Sequence, residues 1–220
     1  MISKMTSEEI KYLNMMSIET RSKIYQMLYI GITAYNRLIN ENSELRKSKF
    51  WINIKSRLLT FLIYRQFEPD ILSEAFPLKV DIEKVNQFGY NSLMLSNKKL
   101  KISLAKTNKK IDLPNKSKYR LRHCKDNYEV ETQLKFNLEE ETNKLIPAQI
   151  YVILGFKIRD GELEYLNFMI PNTDMSRAIL NINLIDEYYK IILETKEEPE
   201  VEEQIASMKK QAEKILVNER

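Results

Sequence analysis

The sequence predicts an α+β fold in which N-terminal helices pack on an antiparallel β-meander and a C-terminal helical tail follows. Three changes of pattern support this fold class. Apolar residues recur at steps of three and four in the first third of the chain, which is typical of helices. They alternate through much of the middle, as in strands that bury one face, and they return to helical spacing near the end.

Three N-terminal helices are predicted from their start and stop signals. Thr6 and Glu9 have the spacing of a capping box, and Ser17 and Ser43 are placed to cap the second and third helices. Pro69 ends the third helix, because the residue before a proline is pushed out of the helical conformation.

A first hairpin is predicted around the turn Asn97–Lys98. In that register Leu95 lies opposite Leu100, so that apolar residues of the two strands share one face. Between the third helix and this hairpin, two short helices are predicted at residues 70–75 and 81–85.

A second hairpin is predicted around Asp160–Gly161, a dipeptide that favours the two-residue turn of tightly paired strands. This register places Lys157 opposite Glu164. Both strands carry apolar residues on both faces, which indicates that they lie in the interior of the sheet. A last strand is predicted at residues 178–184 and a helix at residues 186–193.

A third hairpin is predicted between residues 118–125 and 128–138, with Asp126–Asn127 as its turn. In this register Arg122 lies opposite Glu131, and a slip of one residue would exchange the two faces of the strand. We therefore predict that Arg122 and Glu131 are cross-strand neighbours.

The strongest functional signal is a basic segment, residues 98–125. It holds eleven Lys and Arg and one Asp, a net charge of +10 against +4 for the whole chain. Lys and Arg neutralise phosphates and release counterions, so such a surface predicts salt-dependent binding of nucleic acid. The nucleic-acid-binding residues expected from this segment are Lys101, Lys106, Lys109, Lys110, Lys118 and Arg120.

A structural explanation of the same charge stays open. Lysines on an edge strand block unwanted pairing, and blocks of like charge are common in solvated loops. The third helix favours the binding interpretation, since residues 45–67 contain six basic residues and no acidic one. Long cationic side chains around a buried helix would also explain that composition.

A metal-dependent nuclease is suggested by a polar strand face that carries Glu129, Glu131 and Gln133. Such nucleases place a carboxylate and a Lys or Gln two residues apart on a strand, where the carboxylate holds a divalent cation. The predicted pairing of Glu131 with Arg122 is the structural explanation of the same residues, and it is the favoured one.

His123 is the single histidine of the chain and so the one candidate base for a Ser-His or Cys-His catalyst. On a strand, its neighbour Cys124 would point to the opposite face. A packed histidine is therefore the favoured interpretation. The single cysteine also excludes an internal disulfide and a zinc site built from several thiols.

The C-terminal segment begins at an acidic hinge around Pro199. We predict one globular domain over residues 1–195, followed by the hinge and a helix over residues 196–220. The helix carries a heptad seam that fits a partner chain or self-association, and docking on its own domain is the alternative. The residues of this seam are Val201, Ile205, Met208, Ala212 and Ile215.

These signals predict a non-enzymatic binding protein that engages nucleic acid through a basic surface. A protein-interaction regulator of the antitoxin or inhibitor type, acting through a sheet edge and the C-terminal helix, is the first alternative. A divalent-metal-dependent nuclease is the second. No phosphate-binding glycine loop is present, and no cofactor, resident metal or membrane partner is expected. The N-terminus lacks the apolar core of a signal peptide, so a cytoplasmic location is expected.

Overall fold

The computed structural model describes residues 5–72, 75–86, 90–128, 130–132 and 149–195. The helices are α1 (Ser7–Leu13), α2 (Ile18–Glu41), α3 (Ser43–Lys47), α4 (Trp51–Arg65), α5 (Lys118–Cys124) and α6 (Ile185–Thr195). The strands are β1 (Lys79–Lys84), β2 (Asn91–Ser96), β3 (Leu100–Lys106), β4 (Ile150–Arg159), β5 (Glu162–Pro171) and β6 (Ala178–Asn183). Helices with a six-stranded, mostly antiparallel sheet confirm the predicted α+β class.

The chain divides into two compact units. The first comprises Met1–Thr20, Pro77–Arg159 and Leu163–Asp186, and it includes α1, the sheet and α5. The second comprises Arg21–Phe76, Asp160–Glu162 and Glu187–Arg220, and it includes most of α2 with α3, α4 and α6. One domain over residues 1–195 stays a prediction, and the predicted hinge and helix at residues 196–220 lie outside the described residues.

The helices α1 and α2 begin where the sequence predicts. Thr6 Oγ1 accepts a hydrogen bond from the backbone N–H of Glu9 at 3.2 Å, and the Glu9 carboxylate accepts one from the backbone N–H of Thr6 at 2.7 Å. This capping box satisfies two donors that the start of a helix leaves open. Ser17 Oγ caps α2 by accepting from the backbone N–H of Thr20 at 3.2 Å.

The predicted third helix is in fact two helices, α3 and α4. Ser43 is the first residue of α3 rather than its cap, and Asn42 holds the capping position without a side-chain cap hydrogen bond. After α4 ends at Arg65, the chain continues in tighter three-residue turns up to Glu68. The region before Pro69 is therefore the end of the helix, as predicted.

In the second unit, α2 and α4 approach closely at Gly31. A β-carbon on Gly31 would lie 2.7 Å from Ile63 Cα, so only glycine permits this approach. Both helices contribute to a buried cluster beside it, formed by Ile30, Ala34, Leu38 and Leu62.

An ion pair between a buried arginine and a half-buried glutamate joins α2 to α6 in the same unit. Arg21 is 6% exposed, and its Nε and Nη2 donate to the two carboxylate oxygens of Glu187 at 2.6 and 2.9 Å. The Tyr25 hydroxyl donates to Glu187 Oε1 at 2.8 Å. Burial raises the pKa of the Tyr25 hydroxyl far above its ordinary value, so this hydroxyl remains a donor.

The sheet of the first unit has the strand order β1-β2-β3-β4-β5-β6. The strands β1, β2 and β3 form an antiparallel meander, and β5 and β6 pair antiparallel. In contrast, β3 and β4 pair parallel, so the predicted antiparallel meander is wrong at this position. A parallel pair needs a crossover connection, which the long segment between β3 and β4 supplies. The strands β4 and β5 are interior and largely buried, as predicted.

The turn Asp160–Gly161 is present as predicted. Asp160 and Gly161 have φ values of 52° and 85°, the left-handed conformation that this kind of two-residue turn requires. Lys157 Nζ lies 2.9 Å from Glu164 Oε2, which agrees with the predicted pairing of the two side chains. The predicted last strand and the helix after it are confirmed by β6 and α6.

The first hairpin turns one residue later than predicted. The Asn97 side chain accepts hydrogen bonds from the backbone N–H groups of Lys99 and Leu100 at 2.7 and 2.8 Å, which makes Lys98 and Lys99 the turn. Leu95 therefore pairs with Ile102. The shift in register is even, so the predicted faces of both strands are kept.

The third predicted hairpin is wrong. Residues 118–124 form α5, and Tyr128, Val130, Glu131 and Thr132 are helical too. Ser117 Oγ caps α5 by accepting from the backbone N–H of Arg120 at 3.2 Å. A single 3-10 turn, Lys125–Asn127, occupies the position that the sequence assigned to the hairpin turn.

Three further predictions also fail. Arg122 and Glu131 are not cross-strand neighbours, since both residues are helical and each has another partner. The short helix predicted at residues 81–85 is strand β1 instead. The helix predicted at residues 70–75 is not formed by Asp70–Leu72, which form turns, and residues 73–74 lie outside the described part. None of the helices among the described residues could cross a bilayer.

Candidate nucleic-acid interface

The loop between β3 and α5, residues 107–117, is held against the sheet of the first unit at its start. The backbone N–H of Thr107 donates to Phe156 O of β4 at 3.0 Å. The Tyr165 hydroxyl on β5 donates to Thr107 O at 2.9 Å and lies 3.0 Å from Thr107 Oγ1. These bonds are buried, so the loop leaves the sheet in a fixed direction.

The middle of the same loop is fixed by two asparagines. Asn167 on β5 and Asn181 on β6 both donate from Nδ2 to Lys110 O, and Asn167 Nδ2 also lies 2.9 Å from Asn181 Oδ1. At the far end of the loop, Arg120 Nη1 donates to Asn115 O at 2.9 Å. The loop is therefore anchored at three places along its length.

The turn between β5 and β6, residues 172–177, is ordered by its own side chains. Asn172 Oδ1 accepts from the backbone N–H groups of Ser176 and Arg177 at 2.9 and 3.1 Å. Hydrogen bonds from Ser176 hold the pKa of Asp174 below its ordinary value, so this carboxylate is ionised at neutral pH. Glu131 supports the turn from outside, accepting from the backbone N–H and hydroxyl of Thr173 at 3.1 and 3.0 Å.

Between the loop and the turn lies a cleft of about 570 Å³ within the first unit. Its wall has two cations, Lys116 and Arg177, and one carboxylate, that of Asp112. Ile111 is 74% exposed, an unusual position for a large apolar side chain. The other lining residues are Asn108, Leu113, Pro114, Asn115, Met175, Ser176, Ala178 and Asn181.

The predicted nucleic-acid-binding residues divide into two groups in the structure. Lys109, Lys110 and Lys118 are exposed on the loop and at the start of α5. Among the described residues, none of these three has a carboxylate within ion-pair distance. Lys116 is also exposed on the loop and lines the cleft, and the other three lysines lie within two residues of lining residues along the chain.

The other predicted residues are less available. Lys101 lies on β3, and its Nζ is 3.3 Å from Asp126 Oδ2. Lys106 is the last residue of β3 and is half-buried. Arg120 is half-buried on α5, where its bond to Asn115 supports the loop.

His123 packs inside the first unit, as the favoured interpretation expected. Its ring lies 5.0 Å from that of Tyr119 and 5.3 Å from that of Tyr151, and Nε2 is 3.1 Å from Glu83 Oε2. Arg122 Nη2 reaches the same Glu83 carboxylate at 3.2 Å. This arrangement fixes α5 on β1. It also places the His123 ring between the rings of Tyr119 and Tyr151 rather than in the cleft.

Cys124 is fully buried beside His123. Burial raises the pKa of the Cys124 thiol from its ordinary 9.0 to about 12. A thiol with this pKa holds its proton at neutral pH, so it is a poor nucleophile. Cys-His catalysis is therefore disfavoured by the burial of the Cys124 thiol.

We expect Cys124 to resist a soluble thiol reagent such as DTNB in the folded protein. At pH 8 the raised pKa lowers the thiolate fraction roughly a thousandfold relative to an exposed cysteine, and burial also blocks access. Labelling followed by absorbance should be slow in native buffer and fast in concentrated urea. Fast labelling without denaturant would contradict the burial of α5 on the sheet.

The nuclease interpretation depends on a predicted strand that the described residues do not form. Glu131 is helical and its carboxylate is engaged by Thr173, while the side chain of Glu129 and residue Gln133 lie outside the described part. Across the described residues, no group of three or more His, Cys, Asp or Glu is arranged to hold a metal ion.

The sequence interpretation missed the second wall of the cleft. Arg177, Ser176 and Asn181 come from the β5–β6 turn and from β6, far along the chain from the basic segment. The signal that could have located the turn is the run Pro171–Asp174, in which Pro, Asn and Asp are typical turn residues. No local pattern indicates that this turn faces the basic loop. The seam residues Val201, Ile205, Met208, Ala212 and Ile215 lie outside the described residues.

Neither a protein-family model, nor a curated protein, nor a solved structure matches this chain.

Proposed function

We propose that this chain is a non-enzymatic binding protein that engages the phosphate backbone of nucleic acid through the β3–α5 loop and the adjoining cleft. The observation that carries this proposal is the set of cations around the cleft. Lys116 and Arg177 line the cleft, and the exposed Lys109, Lys110 and Lys118 lie within two residues of lining residues along the chain. Asp112 is the one carboxylate among the lining residues, and Asp174 precedes the lining residue Met175. Exposed cations in excess attract polyanions and release their counterions on binding.

The anchoring of the loop supports the same function. Binding of a flexible loop costs conformational entropy, and a loop that is already ordered avoids much of that cost. Bonds from Tyr165, Asn167 and Asn181 fix this loop from three positions on the sheet. The lysines are thus presented from a framework with a defined shape, which is less typical of a solvated tail.

The polar lining of the cleft suits the sugar–phosphate backbone. Asn108, Asn115 and Ser176 present neutral hydrogen-bonding groups between the cations. A large share of the hydrogen bonds in protein–nucleic acid complexes join such side chains to phosphate and sugar, and they carry no sequence information. We therefore expect binding that depends strongly on salt and weakly on sequence.

We predict that Lys109→Glu combined with Lys118→Glu weakens binding of a fluorescein-labelled oligonucleotide by at least about tenfold at roughly 50 mM salt. The two changes remove two phosphate contacts, so the slope of log K against log salt should fall by about 2. Both side chains are exposed, and surface changes of this kind usually leave stability within about 0.5 kcal/mol. Fluorescence anisotropy over a salt series measures both effects.

A control of equal charge keeps this test specific. Arg37→Glu with Lys190→Glu changes the net charge by the same amount at two exposed residues of the second unit. That variant should bind nearly as tightly as the parent chain. Equal weakening in both variants would show only a general charge effect, and undetectable binding by the parent chain at low salt would remove the proposal.

The protein-interaction alternative receives less support from the sheet edge. The edge strand β1 carries Lys79, Asp81, Glu83 and Lys84, with Ile82 as its one strongly exposed apolar residue. Charged side chains on an edge strand discourage the addition of another strand. The remaining part of that alternative depends on the C-terminal seam.

A further inference from the structure

Another cleft lies within the second unit, where α2, α3, the start of α4 and the turn between β4 and β5 meet. Its volume is about 390 Å³, and small-molecule sites have volumes of roughly 300–1,000 Å³. We call it the α4 cleft. The side chains that give it its chemistry are Tyr35, Arg46, Trp51, Lys55 and Asp160.

An aromatic pair forms one part of the wall of the α4 cleft. The rings of Tyr35 and Trp51 are nearly parallel, at 17°, and their centroids are 6.4 Å apart. Both side chains are half-buried, so part of each remains accessible. An accessible aromatic surface lets a planar ring stack on it, which is how many proteins hold nucleobases without reading their sequence.

Two cations line the same cleft. Lys55 is exposed one helical turn after Trp51 on α4, so the two side chains lie on the same side of that helix. Arg46 is exposed on α3, and its Nη2 donates to Asn40 Oδ1 at 2.8 Å. Among the described residues, neither Arg46 nor Lys55 has a carboxylate within ion-pair distance. Both charges therefore remain available to an anionic group such as a phosphate.

The turn between β4 and β5 contributes a carboxylate in a fixed place. Asn36 Nδ2 donates to Gly161 O at 2.6 Å, and a β-carbon on Gly161 would lie 2.9 Å from the Asn36 amide. The turn is thus held closely against α2. Asp160, the residue before Gly161, lines the α4 cleft and has no ion-pair partner in the part of the chain that the structure describes. Its carboxylate can accept hydrogen bonds from hydroxyl or amino groups.

These groups together match one class of small molecule. The aromatic surface favours a planar ring, the two cations favour an anion, and the carboxylate favours hydroxyl or amino donors. A nucleotide carries all three in its base, its phosphate and its sugar. The cationic excess also extends beyond the cleft, because residues 45–67 contain six Lys and Arg and no acidic residue. Such a field raises the local concentration of anions.

We propose that the α4 cleft binds a nucleotide unit, with its base against the rings of Tyr35 and Trp51. Its phosphate contacts Arg46 and Lys55, and the Asp160 carboxylate accepts a hydrogen bond from its sugar or base. A free mononucleotide and one nucleotide of a single strand present the same three groups. This site belongs to the second unit and does not depend on the phosphate-backbone interface proposed for the first.

The fluorescence of Trp51 tests the proposal, because this residue is the single tryptophan of the chain. AMP should quench its emission saturably. Adenosine should bind at least about tenfold more weakly, because it lacks the charged hydrogen-bond acceptor, and inorganic phosphate should leave the emission unchanged, because it lacks the base. Quenching by AMP would assign the site to a free nucleotide. Quenching by a single-stranded thymidine oligonucleotide alone would assign it to a strand, and quenching by neither at millimolar concentration would overturn the proposal.

A charge reversal in the cleft supplies the matched comparison. Lys55→Glu should weaken the binding of AMP, or of the oligonucleotide if that alone quenches, by at least about tenfold. Lys55 is exposed, so the melting temperature should hardly change. Lys190→Glu makes the same change at an exposed residue of the second unit outside the cleft, and its binding should equal that of the parent chain. Equal weakening in the two variants would overturn the proposal.

Two more variants separate stacking from charge and one site from the other. Trp51→Ala should weaken AMP binding about tenfold in calorimetry, since it removes a stacking contact. If that variant does not fold, the result with Lys55→Glu is sufficient. Lys109→Glu with Lys118→Glu, which alters the first unit, should leave the quenching by AMP unchanged. Loss of that quenching in this variant would overturn the assignment of the nucleotide to the α4 cleft.

Discussion

Glu187→Ala is expected to lower the free energy of unfolding by about 3 kcal/mol, the lower end of the cost of breaking a buried ion pair from one side, because Arg21 is buried while the Glu187 side chain is 26% exposed. Arg21 would lose the two hydrogen bonds that its guanidinium donates to Glu187 while remaining 6% exposed. The Tyr25 hydroxyl would lose its acceptor as well. Urea denaturation followed by circular dichroism measures the loss as a lower midpoint with an unchanged slope.

Two controls separate the buried charge from the hydrogen bonds. Glu187→Gln keeps an oxygen acceptor for Tyr25 and one bond to Arg21. Its free energy of unfolding should therefore lie between those of the parent chain and Glu187→Ala. Glu164→Ala removes a carboxylate of similar exposure from its pair with Lys157, whose side chain is 33% exposed against 7% for Arg21, and ion pairs with a more exposed cation contribute less. A loss in Glu187→Ala no larger than in Glu164→Ala would contradict the buried role of this pair.

The parts of the fold that the sequence predicts well depend on local chemistry. The capping box of Thr6 and Glu9 needs only the atoms of one helical turn. The turn Asp160–Gly161 needs two residues that tolerate positive φ. Where a feature is determined within four residues, the sequence is sufficient to locate it.

The strand predicted within the basic segment is wrong, and the reason is physical. Tyr119, Leu121 and His123 alternate with cationic residues, which fits a strand, but Tyr119 and His123 are also four residues apart, which fits a helix. The decisive fact is that β3 and β4 pair parallel. A parallel pair requires a crossover, and a helix is the usual one, but the pairing joins strands far apart in the chain.

The candidate site, too, could be predicted only in part from the sequence. The lysines of the β3–α5 loop are visible as a charge excess, because charge is a property of composition. The opposite wall with Arg177 and Asn181 depends on the position of β6 in the sheet, which no spacing within the basic segment encodes. Lys101 and Arg122 belong to the same charge excess, yet Asp126 and Glu83 neutralise them in the fold.

Asn127→Ala is expected to lower the free energy of unfolding by about 3 kcal/mol, since it removes three buried hydrogen bonds of roughly 1 kcal/mol or more each. Asn127 is fully buried in the first unit, where its Nδ2 donates to Tyr151 O at 2.9 Å and to Pro171 O at 2.8 Å. Its Oδ1 accepts from the backbone N–H of Tyr151 at 2.8 Å. The side chain thus bridges β4 and β5 and satisfies backbone groups of both strands.

Asn127→Asp makes the stronger test, because it changes no shape. A carboxylate oxygen would replace Nδ2 and face two carbonyl oxygens, so two attractive contacts become repulsive and a charge is buried. We expect a loss of stability larger than that of Asn127→Ala, and larger at pH 7 than at pH 4, where protonation removes the charge. Asn108→Ala, a change at an exposed asparagine, should stay within about 0.5 kcal/mol of the parent chain. Equal stability of Asn127→Asp and the parent chain would mean that residue 127 does not join the two strands.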